Sequence, residues 1–131
     1  MKAVVSLDQD KYSVENVTLD PPKAGELKIK IAACGVCHSD LSVITGVLPL
    51  PKPIVLGHEG AGVVAEIGAG VTGFELGDHV VLSFNPTCGK CPSCNRLEPQ
   101  FCSAGMPNGQ MLDGTYRVHL GGRDVGTMQF L

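Results

Sequence analysis

No apolar run in the 131-residue chain approaches the length of a membrane-spanning helix, and the opening Met1-Lys2-Ala3-Val4-Val5 lacks the apolar core of a secretory signal. Both absences favour a soluble, cytoplasmic protein with no membrane partner. A basic surplus is also missing: ten Lys and Arg stand against thirteen Asp and Glu, a formal net charge of −3. The basic residues form no stripe, so no nucleic-acid partner is expected. Helical periodicity is scarce, and there is no internal repeat or low-complexity segment. The length holds one domain with a real core and not two full ones.

Glycine and proline are plentiful, at 17 and 9. Apolar segments separate them throughout, which indicates tight turns and not disorder. Leu27-Lys28-Ile29-Lys30-Ile31 alternates strictly, so three apolar side chains should face a core and two lysines water. Gly62 to Ile67 and His79 to Ser83 are rich in Val and Ile between glycine-containing turns and read as strands. Asp113-Gly114 reads as a hairpin-type turn into a strand over Thr115 to Leu120. The best place for a short helix is Val36 to Ile44, with Ser39 and Asp40 near its start. The fold expected is mostly β, a Greek-key or partly open β-barrel with one lobe projecting from it.

That lobe, residues 86–104, carries Cys88, Cys91, Cys94 and Cys102 in a C-x2-C-x2-C-x7-C spacing. Two-residue gaps let the backbone curl so that successive sulfurs converge. Four thiolates at about 2.3 Å satisfy tetrahedral zinc and leave no position open for chemistry. Disulfides would need an oxidising compartment, to which nothing in the sequence points. An iron–sulfur electron carrier is the rival, because the first three cysteines begin like a ferredoxin run. The next gap is seven residues, not three, and no second cluster follows.

Cys37-His38-Ser39-Asp40 and Gly57-His58-Glu59-Gly60 lie outside the lobe. Cys37 and His58 supply two ligands for an open zinc site, while Asp40 and Glu59 suit carboxylates that orient them. On spacing alone, a Cys and a His this far apart fit a metal site or two ordinary buried residues equally well. Gly68-Ala69-Gly70-Val71-Thr72-Gly73 is a literal G-x-G-x-x-G, but glycines interrupt what should be a helix, so it reads as a β connection. Gly62 stands where H-E-x-x-H needs its second His, which excludes that metalloprotease motif. Cys34 reads as a buried inert thiol, and His79 and His119 as structural or surface residues.

Gly35-Val36-Cys37-His38-Ser39-Asp40, Gly57-His58-Glu59-Gly60-Ala61-Gly62-Val63-Val64 and Gly77-Asp78-His79-Val80, with the four-cysteine spacing in the same order, closely resemble the zinc-containing alcohol dehydrogenases of the medium-chain superfamily. The resemblance runs across residues 1–131 and implies a GroES-like catalytic domain, here incomplete, with its structural zinc lobe at 86–104. It further implies oxidation of a small alcohol to an aldehyde or ketone with NAD or NADP, and homo-oligomers of the full-length form. In that pattern Cys37 and His58 match ligands of the catalytic zinc, Glu59 the acidic residue behind the metal, and Asp40 a supporting carboxylate. Cys88, Cys91, Cys94 and Cys102 match the structural zinc site. Ser39 matches the hydroxyl that hydrogen-bonds the substrate oxygen and starts proton removal, Phe84 and Leu48 the walls of the substrate pocket, and His38 a contact to the cofactor pyrophosphate. Ser42 departs from the pattern, since many relatives carry a His there that relays the proton outward. A third catalytic ligand and a nucleotide-binding domain follow in the family and are not in this sequence. The expectation is therefore the N-terminal part of a longer enzyme, inactive alone. The alternative is a non-catalytic zinc-binding module of the same fold.

Overall fold

Lys2–Asp8 (β1) and Lys11–Asn16 (β2) pair as an antiparallel hairpin, with Val4 opposite Val14 and Val5 opposite Ser13. The computed structural model describes residues 1–85, 87–104 and 109–128. Pro86, residues 105–108 and residues 129–131 lie outside the described residues, and with them the first residue of the expected lobe and the last three of the expected domain.

Two sheets form. The larger joins β2, β1, Ile54–Val55 (β5), Arg123–Thr127 (β9), Val118–Leu120 (β8) and Thr18–Leu19 (β3), in that spatial order. Only the β5–β9 pair in it is parallel. The smaller is an antiparallel meander of Leu27–Cys34 (β4), Gly60–Ile67 (β6) and His79–Val81 (β7). Together they give the mostly β, partly open barrel read from the sequence. Helix His38–Ile44 (α1) crosses between β4 and β5, and a one-turn helix, Pro92–Asn95 (α2), sits in the cysteine lobe.

The core divides in two. Val5, Val17, Val118 and Val125 bury one cluster inside the larger sheet, and Val43, Ile54 and Met128 bury a second where α1 meets β5 and the end of β9. Each such side chain contributes roughly 1.5–3 kcal/mol by leaving water. The second cluster matters for function, because its neighbours Leu48 and Leu56 lead directly to the segments carrying Cys37 and His58.

An ion network pins the turn before β8 to the start of β4. Arg117, 4% exposed, donates to Glu26 and to Asp113, and Lys23 pairs with Asp113 at 3.0 Å. Burial alone would raise the Glu26 carboxyl, but hydrogen bonds from Arg117 and the Lys23 amide outweigh it and hold it below its ordinary value. Asp113 is held well below the carboxylate range by hydrogen bonds from Thr115, Arg117 and Lys23.

Several expectations need correction. The strand after Asp113-Gly114 begins only at Val118, because Asp113 captures the amide and hydroxyl of Thr115 and keeps that stretch a turn. The strand at His79 ends at Val81, where a side-chain turn begins with Asn85 N–H donating to Ser83 Oγ. The helix starts at His38 and not Val36, with Cys37 as its cap. Ile31 is 48% exposed, since the far half of β4 runs along the open seam of the barrel. Lys28 is half-buried and paired with Glu66 at 2.8 Å. Cys34 is exposed, not buried, its thiol donating to the Gly35 carbonyl at 3.4 Å. Strands β1, β2, β3, β5 and β9 were not expected from the sequence. The G-x-G-x-x-G stretch is a turn connection between β6 and β7, with Gly70 and Gly73 at positive φ, as read.

Candidate metal centres and active-site cleft

In the lobe, the one-turn helix begins with Cys91 as its cap and Pro92 in the first turn, where a missing N–H costs nothing. This brings Cys94 back over Cys91, and the 3-10 turn Pro99–Phe101 returns the chain so that Cys102 meets both. The four sulfurs lie within 4.8 Å of one another, with Cys91–Cys94 at 3.5 Å and Cys91–Cys102 at 4.0 Å. A tetrahedron with metal–sulfur bonds of about 2.3 Å has edges of about 3.8 Å, so these distances enclose one ion. They are far too long for disulfides and too short to surround a multi-iron cluster. Amides of Cys88 and Cys91 each donate to a sulfur of the set at 3.4 Å. The Cys91 thiol is lowered to about 5, chiefly by the Cys94 and Ser103 amides, whereas burial and the neighbouring Cys91 sulfur push Cys94 up to about 11.

The second centre forms where three segments meet. Asp40, in the first turn of α1 and 7% exposed, accepts from the Cys37 amide at 2.9 Å and from the Gly57 amide at 2.8 Å. One carboxylate thereby ties the Cys37 segment to the His58 segment. Gly57 stands at φ 97°, and a Cβ there would approach Cys34 Sγ to 2.9 Å, so only glycine suits the turn. Beyond it, His58 points inward with Nδ1 buried, unbonded and 3.5 Å from Asp40 Oδ1. Ligand atoms of Cys37, His58 and Glu59 lie within 4.8 Å of one another. A buried imidazole whose Nδ1 faces the Asp40 carboxylate, beside the Cys37 thiol and the Glu59 carboxylate, is the donor set of a zinc site with the other ring nitrogen as ligand, and the residues present fit that ion.

These groups open onto a cleft of about 330 Å³ lined by Cys37, Ser39, Leu48, His58, Glu59, Phe84 and Met128. The Cys37 thiol donates to Ser39 Oγ at 3.6 Å, and Phe84 meets the His58 ring edge-on with centroids 6.1 Å apart. The fold therefore brings Cys37, Ser39, His58, Glu59, Phe84 and Leu48 to one cleft, with Asp40 behind it. His38 is not on it: that side chain is exposed, with Nδ1 3.4 Å from Ser42 Oγ. Sequence reasoning missed Met128, whose position depends on β9 pairing with β5, a contact no local pattern reports. Cys34 belongs to neither cluster among the described residues.

Residues 23–129 match the family described as the alcohol dehydrogenase GroES-like domain. The chain belongs to that family. This GroES-like domain is 47% identical to an NDMA-dependent alcohol dehydrogenase of Amycolatopsis methanolica, over 92% of the chain and 33% of the relative. To alcohol dehydrogenase B of Mycobacterium tuberculosis it is 44% identical, again over 92% and 33%. Among solved structures it superposes on an alcohol dehydrogenase zinc-binding domain protein from Burkholderia ambifaria with a TM-score of 0.90, at 33% identity, covering 97% of the chain and 35% of that protein. Benzyl alcohol dehydrogenase from Acinetobacter calcoaceticus gives a TM-score of 0.85 at 35% identity, over 97% and 34%. The GroES-like domain thus spans about a third of the length of the relatives it matches.

Proposed function

We propose that this GroES-like domain carries the alcohol-oxidising centre of a zinc-dependent, nicotinamide-linked dehydrogenase. The observation that carries the reading is the convergence of Cys37, His58 and Glu59 within 4.8 Å, at a cleft that also holds the Ser39 hydroxyl. Cys37 and His58 would hold the catalytic zinc, and the Cys88, Cys91, Cys94 and Cys102 set a structural one. When bound, zinc is a Lewis acid that lowers the pKa of an alcohol hydroxyl in the cleft. Ser39 Oγ sits beside Cys37, where it would accept a hydrogen bond from the substrate hydroxyl and take up its proton as it releases its own to water. Asp40, held by two amides, faces His58 Nδ1 and fixes the ring. Leu48 and Met128 line the apolar part of the cleft, Phe84 forms its exposed edge, and the exposed Glu59 balances charge at the site.

In the full-length form NAD or NADP would supply the hydride acceptor for the alcohol carbon, and His38, at the exposed start of α1, would contact its pyrophosphate. All six cysteines are free, which supports a reducing compartment and hence a cytoplasmic location. Homo-oligomeric assembly of the full-length form belongs to the same proposal. The test is turnover of alcohols by the full-length form. Cys37→Ser should abolish it, and Ser39→Ala should cut it severely while both zinc ions stay bound. An active Cys37→Ser enzyme would overturn the reading and favour a non-catalytic zinc-binding module.

A further inference from the structure

We infer that Met128 is a specificity-determining residue, the deformable floor on which the hydrocarbon part of the substrate rests. The inference rests on the alcohol-site reading above and deepens it. Met128 belongs to two environments at once. It is 6% exposed and packs in the core cluster with Val43 and Ile54, yet it also lines the cleft that holds Cys37 and His58. Its backbone is fixed, because its amide donates to the Val55 carbonyl at 3.0 Å where β9 runs beside β5. Only the thioether chain is left to adapt.

Cys37, Ser39, His58 and Glu59 make the polar part of the cleft lining, and Leu48, Phe84 and Met128 the apolar part. Leu48 packs on the same core cluster as Met128, so both are backed by solid core. Phe84 is held edge-on against His58. Of the three, Met128 alone is an unbranched chain with three rotatable bonds and a polarizable sulfur, the side chain best able to change shape against a guest. A two-carbon alcohol would leave these walls uncovered. An aryl-methyl or medium-length alkyl alcohol would cover them, each added methylene tightening binding about fourfold until the floor is reached. A polyol would gain nothing from them.

The test uses the zinc-loaded full-length form with carbon-13 methyl-labelled methionine, in which Met128→Leu assigns the Met128 signal by its disappearance. Ethanol, 1-hexanol, benzyl alcohol and glycerol are titrated while the Met128 methyl and the His58 ring protons are followed. Hexanol and benzyl alcohol should shift both signals saturably, whereas ethanol and glycerol should shift His58 at most and leave the Met128 methyl in place. Met128→Ala shortens the floor by about three heavy atoms, so the chain length giving tightest binding should move up by two or three carbons. Met128→Leu, which nearly conserves volume, should leave it within one carbon and guards against a loss of folding in the alanine variant. Saturable His58 shifts with a silent Met128 methyl, or an unmoved optimum in folded Met128→Ala, would overturn this inference alone. Silence at both signals with every alcohol would overturn it together with the alcohol-site reading.

Discussion

Asp40→Asn is a small change with a large expected effect. The carboxylate accepts from Cys37 N–H at 2.9 Å and Gly57 N–H at 2.8 Å while 7% exposed, and it stands 3.5 Å from His58 Nδ1. An asparagine keeps one accepting oxygen and turns an NH2 group toward the other amide. One buried N–H then loses its partner and faces a donor. Hydrogen bonds to a charged group are worth about 1.5–3 kcal/mol each, and an orphaned buried donor costs about 1–3 kcal/mol. The expected loss of stability is therefore about 2–4 kcal/mol, a large part of what holds a domain of this size. Loosening the tie between the Cys37 and His58 segments should also weaken metal at that site by about 10–100-fold, the usual cost of losing an orienting partner. Urea unfolding of the zinc-loaded protein measures the first quantity, and competition with a graded chelator the second. A stability within 0.5 kcal/mol of wild type, with unchanged metal affinity, would refute the claim that one carboxylate ties the two segments together.

Replacing Cys94 by Ser should unfold the lobe, since Cys91, Cys94 and Cys102 converge on one ion and little core lies beneath them; hydrogen exchange across residues 87–104 should rise sharply, and unchanged protection would count against it. Arg117→Met should cost about 3 kcal/mol at neutral pH by leaving Glu26 and Asp113 without their buried partner, read from the urea midpoint. Both carboxyls lie below their ordinary values in the folded protein, so their contribution is fully present above the unfolded carboxylate range near ~4 and is lost as pH falls through the folded values. The gap between wild-type and Arg117→Met stability should therefore narrow from pH 5 toward pH 2.5, and a gap that widens would refute the assignment.

The local half of this molecule was legible in its sequence. The cysteine spacing announced one ion, and the structure shows sulfurs 3.5 and 4.0 Å apart. Strands Leu27–Cys34 and Gly60–Ile67 and helix His38–Ile44 were legible because period and turn residues are local signals. What was not legible depends on distant pairing. Ile31 alternates like a core residue yet faces the open seam, because nothing in the period says whether a sheet is covered. Thr115 and Arg117 look like strand residues, but Asp113 and Glu26, the latter 91 positions from Arg117, claim their polar groups instead. Cys34 continues an apolar strand but ends on the rim, beside Gly57. Met128 joined the cleft through the parallel β5–β9 pair, two strands that the pattern did not reveal.

Cadmium-113 resonance of the cadmium-loaded protein tests the central claim most directly, because each bound ion reports its own ligands. Two signals are expected: one from the all-sulfur set of Cys88, Cys91, Cys94 and Cys102, and one from a mixed sulfur and nitrogen set at Cys37 and His58. Adding an alcohol should move the second and leave the first in place, and Cys37→Ser should remove the second alone. A single resonance that neither alcohol nor Cys37→Ser disturbs would contradict the account.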